Sequence, residues 1–123
     1  MTELDCLTLQ ACNLVAQNRR QLLQEQINAR RQRAWQVSHL AADILKGGFQ
    51  VTHVVAFGSL VQAGQFHQHS DVELAVWNLP QRDVVRAVSR LQSLDPTISV
   101  NLILFEGAQP TLQTAIQRDG VAL

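Results

Sequence analysis

The sequence predicts an α/β (α+β) fold, a small mixed β-sheet flanked by helices with a long helix at the N-terminus. Three observations lead there. From Thr2 to Lys46 there is neither Pro nor Gly, and the stretch is rich in Leu, Gln, Arg and Ala, all residues that a helix accepts at little cost. After Gly47-Gly48 the chain holds three short runs rich in β-branched residues. Between and after those runs, apolar residues return to helical spacing.

In order, the first segment is one long helix or two abutting ones. Leu4, Leu7, Ala11, Leu14, Val15 and Leu22 form one apolar stripe, and Val37, Leu40, Ala41, Ile44 and Leu45 another. Between Asn18 and Arg33 the stripe thins, and Arg19, Arg20, Arg30, Arg31 and Arg33 face only Glu25. Such a segment is either solvated around most of its circumference or meets RNA or an acidic partner. Gly47-Gly48 is expected to cap it. Val51–Phe57 reads as a buried strand, ended by Gly58-Ser59. Leu60–Gln62 opens a short helix and Ala63–His69 is irregular. Asp71–Val76 is a strand with Asp71, Glu73 and Ala75 on one face and Val72, Leu74 and Val76 on the other. Pro80–Leu94 is a helix with Val84, Val85, Val88 and Leu91 on its apolar face, and Asp95-Pro96 turns the chain. Ile98–Phe105 is a third strand, and Pro110–Arg118 a last helix, stopped at Gly120 before a short apolar tail. Three strands are expected in all.

With 123 residues, 46% hydrophobic and 16% charged, the chain has the size of one domain, which buries roughly 65% of its unfolded surface and needs no disulfide or structural metal. Cys6 and Cys12 lie about 9 Å apart along a helix and on different faces, so they do not pair with each other. No apolar run of about 18 residues exists to span a membrane. MTELDCLTLQ lacks the basic start and greasy run of a secretion signal, so the expected location is cytoplasmic. Ten basic residues balance ten acidic ones, with six against four up to Lys46 and four against six beyond it. This is not the field of a non-specific nucleic-acid binder.

One constellation carries chemistry. A hydrophobic strand ends in Gly58-Ser59, and after eleven intervening residues comes Asp71-Val72-Glu73-Leu74. Gly58 lets the backbone approach a ligand, Ser59 adds a hydroxyl donor, and the amides of a helix start can point at phosphate oxygens. Asp71 and Glu73 are alternate strand residues with α-carbons about 6.6 Å apart and carboxylates on the same side. One hard divalent ion bridges such a pair, completed by phosphate and water, and Mg²⁺ is the ion so held.

Phe57, Gly58, Ser59, Asp71, Val72, Glu73 and Leu74 match a pattern of hydrophobic residue, Gly, Gly or Ser, a spacer, then acid, hydrophobic, acid, hydrophobic. On that pattern the sequence resembles the nucleotidyltransferases of the DNA polymerase β fold, and within them the minimal nucleotidyltransferases that serve as antitoxins beside HEPN ribonuclease toxins. The segments ADILKGGF, THVVAFGSL, FHQHSDVELAVWNLP and AIQRDGVAL extend the likeness from about Ala34 to the end. It implies a polymerase β-like nucleotidyltransferase domain over residues 34–123, with residues 1–33 a helical extension for partner or oligomer contact. It further implies nucleotide binding at Gly58 and Ser59, and Mg²⁺ held by the catalytic pair Asp71 and Glu73. The reaction implied is transfer of a nucleotide, AMP from ATP, to a hydroxyl of a HEPN toxin. The N-terminal helix is also a candidate surface for homo-oligomers.

The sequence departs from the family pattern in three ways. Asn101 stands where a third carboxylate is usual, and two negative charges balance one divalent ion, not two. No Arg follows the Gly-Ser turn, where Val61, Gln62 and Ala63 precede Gly64. Glu73 replaces the commoner Asp, and its extra methylene displaces the carboxylate by about 1.5 Å, which can cost ~100-fold in rate. The alternative function is therefore a catalytically degenerate antitoxin that neutralises its partner by binding. Transfer to a small molecule such as an aminoglycoside would need a substrate domain for which 123 residues leave no room. Glu106 is a candidate substitute acid or a solvent-exposed residue, His67 and His69 are metal or base ligands or plain loop residues, and Trp35 and Trp77 are core margin or binding site.

Overall fold

The computed structural model describes the backbone of residues 2–123 and the side chains from Ala11 onward, so Cys6, Leu4 and Leu7 lie outside the described side chains. The first segment is one continuous helix, α1 (Thr2–Gly48). Its C-terminal half explains why it forms: Ala34, Val37, Ala41 and Leu45 repeat at helical spacing and are completely buried. The expected glycine cap is displaced, because the helix runs into Gly48 and Gln50 takes the left-handed conformation (φ 58). The Val51 N–H then donates to the Leu45 carbonyl at 3.1 Å and closes the end.

The sheet contains β1 (His53–Phe57), β2 (Val72–Trp77), β3 (Val100–Leu104) and β4 (Val121–Ala122) in the order β3-β2-β1-β4. β1 runs antiparallel to β2 and β4, whereas β3 is parallel to β2. A parallel neighbour needs a crossover, and α2 (Val84–Gln92) supplies it after a 3₁₀ turn at Gln81–Asp83. The fourth strand corrects the expectation of three. Two residues are too short to show a period of two, and Val121–Ala122 become a strand only because the open edge of β1 accepts them, Ala56 opposite Val121 and Val55 opposite Ala122.

Alternation along β2 divides the core. Val72, Leu74 and Val76 face α1 and α2 within the main cluster, with Val37, Leu45, Ala87 and Leu91. Ala75 faces the other way, with Val55 and Phe57, beneath Ile116 of α3 (Pro110–Asp119). At about 25 cal/mol per Å² of apolar surface, this two-sided burial fixes the register of β2, since a slip of one residue would bring Glu73 into the α1 side. Among the described residues the stretch of α1 from Ala11 to Gln26 has no such partner. Leu14, Val15 and Leu22 are 60%, 49% and 57% exposed, and contact with the main core starts at Ile27.

Candidate functional site

The candidate site lies where β1 ends and β2 begins. Beyond Phe57 the chain turns through Gly58, whose φ of 80 only glycine adopts readily, into a 3₁₀ turn at Gly58–Leu60 anchored by the buried Leu60. The Val61 N–H donates to the Gly58 carbonyl at 3.3 Å. Phe57 is the register partner of Glu73, so the turn begins directly against that carboxylate. A Cβ on Gly58 would overlap Glu73 Oε2 and lie 3.0 Å from its Cδ. The glycine is therefore required twice, for its backbone conformation and for the space that Glu73 fills. Ser59, half-buried, is the next residue of the turn.

Asp71 stands just before β2 and Glu73 is its second residue, both half-buried. Burial, and secondarily the Asp71 charge, push the Glu73 carboxyl up from its ordinary value. Among the described residues neither carboxylate has an ion pair or a side-chain hydrogen bond. Asn101 on β3 is the register partner of Glu73 and is exposed. Gly58, Ser59, Asp71 and Glu73, with the Asn at the third-acid position, are thus gathered at one end of the sheet. Two neighbouring carboxylates without a basic partner fit a hard divalent cation, with the Asn101 amide a neutral oxygen beside them. Among the described residues no group of three His, Cys, Asp or Glu converges, so the donor set is that pair.

Other candidates lie elsewhere. Glu106 follows β3 at the opposite end, where its Oε1 accepts the backbone N–H of Asn78 at 2.8 Å. It braces a residue of positive φ (65) and does not substitute for the third acid. His67 and His69 are exposed and belong to the loop's own turn, the His69 N–H donating to His67 Nδ1 at 3.2 Å. Trp77 lies between the His53 and Phe105 rings, with centroids 4.4 and 4.3 Å away, and Trp35 packs half-buried on the main core. Cys12 is a free, exposed thiol.

The arginine cluster resolves into two kinds. Arg19 and Arg20 are exposed, whereas three arginines of the next turns bind the chain's own body. Arg30 donates from Nη1 to the Thr97 carbonyl (2.8 Å) and from Nη2 to the Ser70 carbonyl (3.0 Å). Arg31 donates from Nε and Nη2 to the Leu60 carbonyl at 3.3 and 3.1 Å, and Arg33 pairs with Asp95 at 2.8 Å. Ile27, Arg30, Arg31, Ala34 and Val37 continue the core-facing helical spacing, so a signal for inward arginines was present. Counting the cluster as charge concealed it.

No protein-family model and no curated protein matches the chain. Among solved structures it is similar to a mutant form of the toxin–antitoxin MntA-HpeT, with a TM-score of 0.58 and 21% identity over 69% of this chain and 70% of that one. It is also similar to a toxin–antitoxin solved with AMP-PNP, at 0.55 and 22% over 67% and 68%. A further MntA-HpeT mutant gives 0.54 and 22% over 69% and 68%. The chain shares the fold of these structures, a small mixed sheet flanked by helices behind a long N-terminal helix, as the sequence led one to expect. No helix among the described residues is long and apolar enough to cross a membrane.

Proposed function

We propose that the protein is a minimal nucleotidyltransferase acting as the antitoxin of a HEPN-type toxin, transferring AMP from ATP to a hydroxyl of that partner. The observation that carries this reading is the unneutralised pair Asp71 and Glu73 set against a glycine turn whose open side Glu73 itself fills. A nucleotide bound in a toxin–antitoxin of the same fold supports it. Asp71 and Glu73 would hold Mg²⁺, which supplies positive charge to the triphosphate when bound. The space beside Gly58 is taken by Glu73, while the Ser59 hydroxyl and the amides of the turn would donate to the β- and γ-phosphates. Glu106, at the far end of the sheet, is unavailable as a base, so a group on the partner's side would take the proton of the acceptor hydroxyl.

The exposed apolar stripe of α1 from Leu14 to Leu22 is the proposed partner surface, within a 1–33 extension that also serves self-association. Asn101 opposite Glu73 favours a second reading, a site without turnover on a protein that neutralises its toxin by binding alone. One experiment separates them. The protein, Mg²⁺ and ATP labelled at the α-phosphate are incubated with the product of the adjacent reading frame, alongside Asp71→Asn. Label on the partner that is lost in the variant establishes transfer. A stable complex with no label from any nucleoside triphosphate leaves the binding antitoxin, and neither label nor complex refutes both.

A further inference from the structure

We propose that Arg30 and Arg31 of α1 are positioning residues for the nucleotide site, holding its three chain segments in register from outside the sheet; the proposal rests on the reading of that site given above. Arg31 places two donors of its guanidinium on one carbonyl, that of Leu60, the last residue of the Gly58–Leu60 turn. Arg30 uses its fork differently. One arm reaches Ser70, the residue before Asp71, and the other Thr97, in the loop that leads to β3 and Asn101. The backbone between these points is already coupled, since the Val72 N–H donates to the Ser99 carbonyl at 2.9 Å and the Ser70 N–H to the His67 carbonyl at 3.1 Å.

Two adjacent residues of one helix thus fasten all three chain segments that meet at the site. The fastening is not an incidental surface contact. Both arginines are half-buried, and Arg30 Nε is shielded from solvent without a hydrogen-bond partner. Leaving a guanidinium N–H unpaired is unfavourable, so the side chain's placement is dictated by the two carbonyls that its other nitrogens reach. A planar fork with fixed donor directions spans Ser70 and Thr97 together, which the point charge of lysine cannot do. The sequence lacks the arginine that commonly follows the Gly-Ser turn, and Arg31 arrives at that turn from α1 instead, bonded to backbone and so directed at geometry rather than at phosphate.

The test compares Arg30→Lys, Arg31→Met and Arg31→Lys with Arg33→Ala, which breaks the ion pair to Asp95 on the same helix and leaves the Leu60 and Ser70 carbonyls bonded. Affinity for AMP-PNP with Mg²⁺ is measured by calorimetry, thermal midpoints by scanning calorimetry, and amide exchange at 58–61 and 67–72 by mass spectrometry. Arg31→Met is expected to weaken AMP-PNP with Mg²⁺ by about 10-fold or more, the usual cost of losing an outer-shell partner, at a midpoint no lower than that of Arg33→Ala. Arg31→Lys should recover part of the loss, and Arg30→Lys should speed exchange over 67–72. Affinity unchanged in Arg31→Met, or lost equally in Arg33→Ala, overturns the proposal. If the wild type itself fails to bind AMP-PNP, the nucleotide reading falls, and exchange decides the positioning claim alone: unchanged protection in both loops refutes it.

Discussion

Replacing Gly58 by alanine probes the turn and the carboxylate together. Two costs add. A residue with a Cβ at φ 80 pays about 1–2 kcal/mol for the left-handed conformation. The new methyl also overlaps Glu73 Oε2, which is the far end of a flexible side chain, so Glu73 turns away at about 0.5–1.5 kcal/mol of rotamer strain. Against these, the unfolded chain of the alanine variant has less entropy to lose, worth about 0.4–1 kcal/mol. The net destabilisation is about 0.5–3 kcal/mol, read as a fall in the urea midpoint at unchanged slope. Glu73→Ala removes the overlap and leaves the φ cost, so the Gly58→Ala, Glu73→Ala cycle should show a coupling of about 0.5–1.5 kcal/mol. Gly58→Ala as stable as wild type, or strictly additive with Glu73→Ala, would refute the account of why glycine stands there.

The other predictions concern pH. The folded protein holds the Glu73 proton more tightly than the unfolded chain, so this group's contribution is full below the ordinary value of 4.5 and is lost as pH rises through the folded pKa. Glu73→Gln should therefore melt above wild type at neutral pH without divalent cations, with the gain closing in acid; an equal gain at every pH counts against burial as the cause. Asp95 is opposite in sign. The Thr97 hydroxyl, then Arg33 and the Thr97 backbone N–H, hold its carboxyl far below its ordinary 3.8, so its stabilisation is present above that value and is lost as pH falls toward the folded pKa. Asp95→Asn should lower the melting temperature at pH 6 and flatten the acid limb of the stability profile, and a parallel profile would contradict this.

Much of this arrangement was legible in the sequence because it rests on local rules. The period-two alternation through Asp71–Val76 fixed which residues of β2 share a face, and the Gly58-Ser59 punctuation located the turn. What escaped depends on long-range contacts. β4 exists only because β1 has a free edge. Glu106 follows β3 in the chain, yet the direction of that strand sends it away from Glu73. Arg30 and Arg31 find their acceptors in residues 29 to 67 positions away, and those acceptors are backbone carbonyls, which leave no trace in side-chain chemistry.

The continuity of α1 gives the molecule a mechanical property. From Ala11 to Arg30 the helix measures about 28 Å at 1.5 Å per residue, with neither Pro nor Gly to serve as a hinge. It behaves as a stiff lever whose fulcrum is the packed segment from Ile27 onward. A sideways load at the exposed tip is delivered as torque at the fulcrum, where Arg30 and Arg31 grip the loops. A tilt of about 2° moves the tip by about 1 Å while shifting the root by a small fraction of that distance. Displacements far from the sheet are thus geared down, and the exposed stretch of α1 is mechanically continuous with the end of the sheet where Gly58, Asp71 and Glu73 meet.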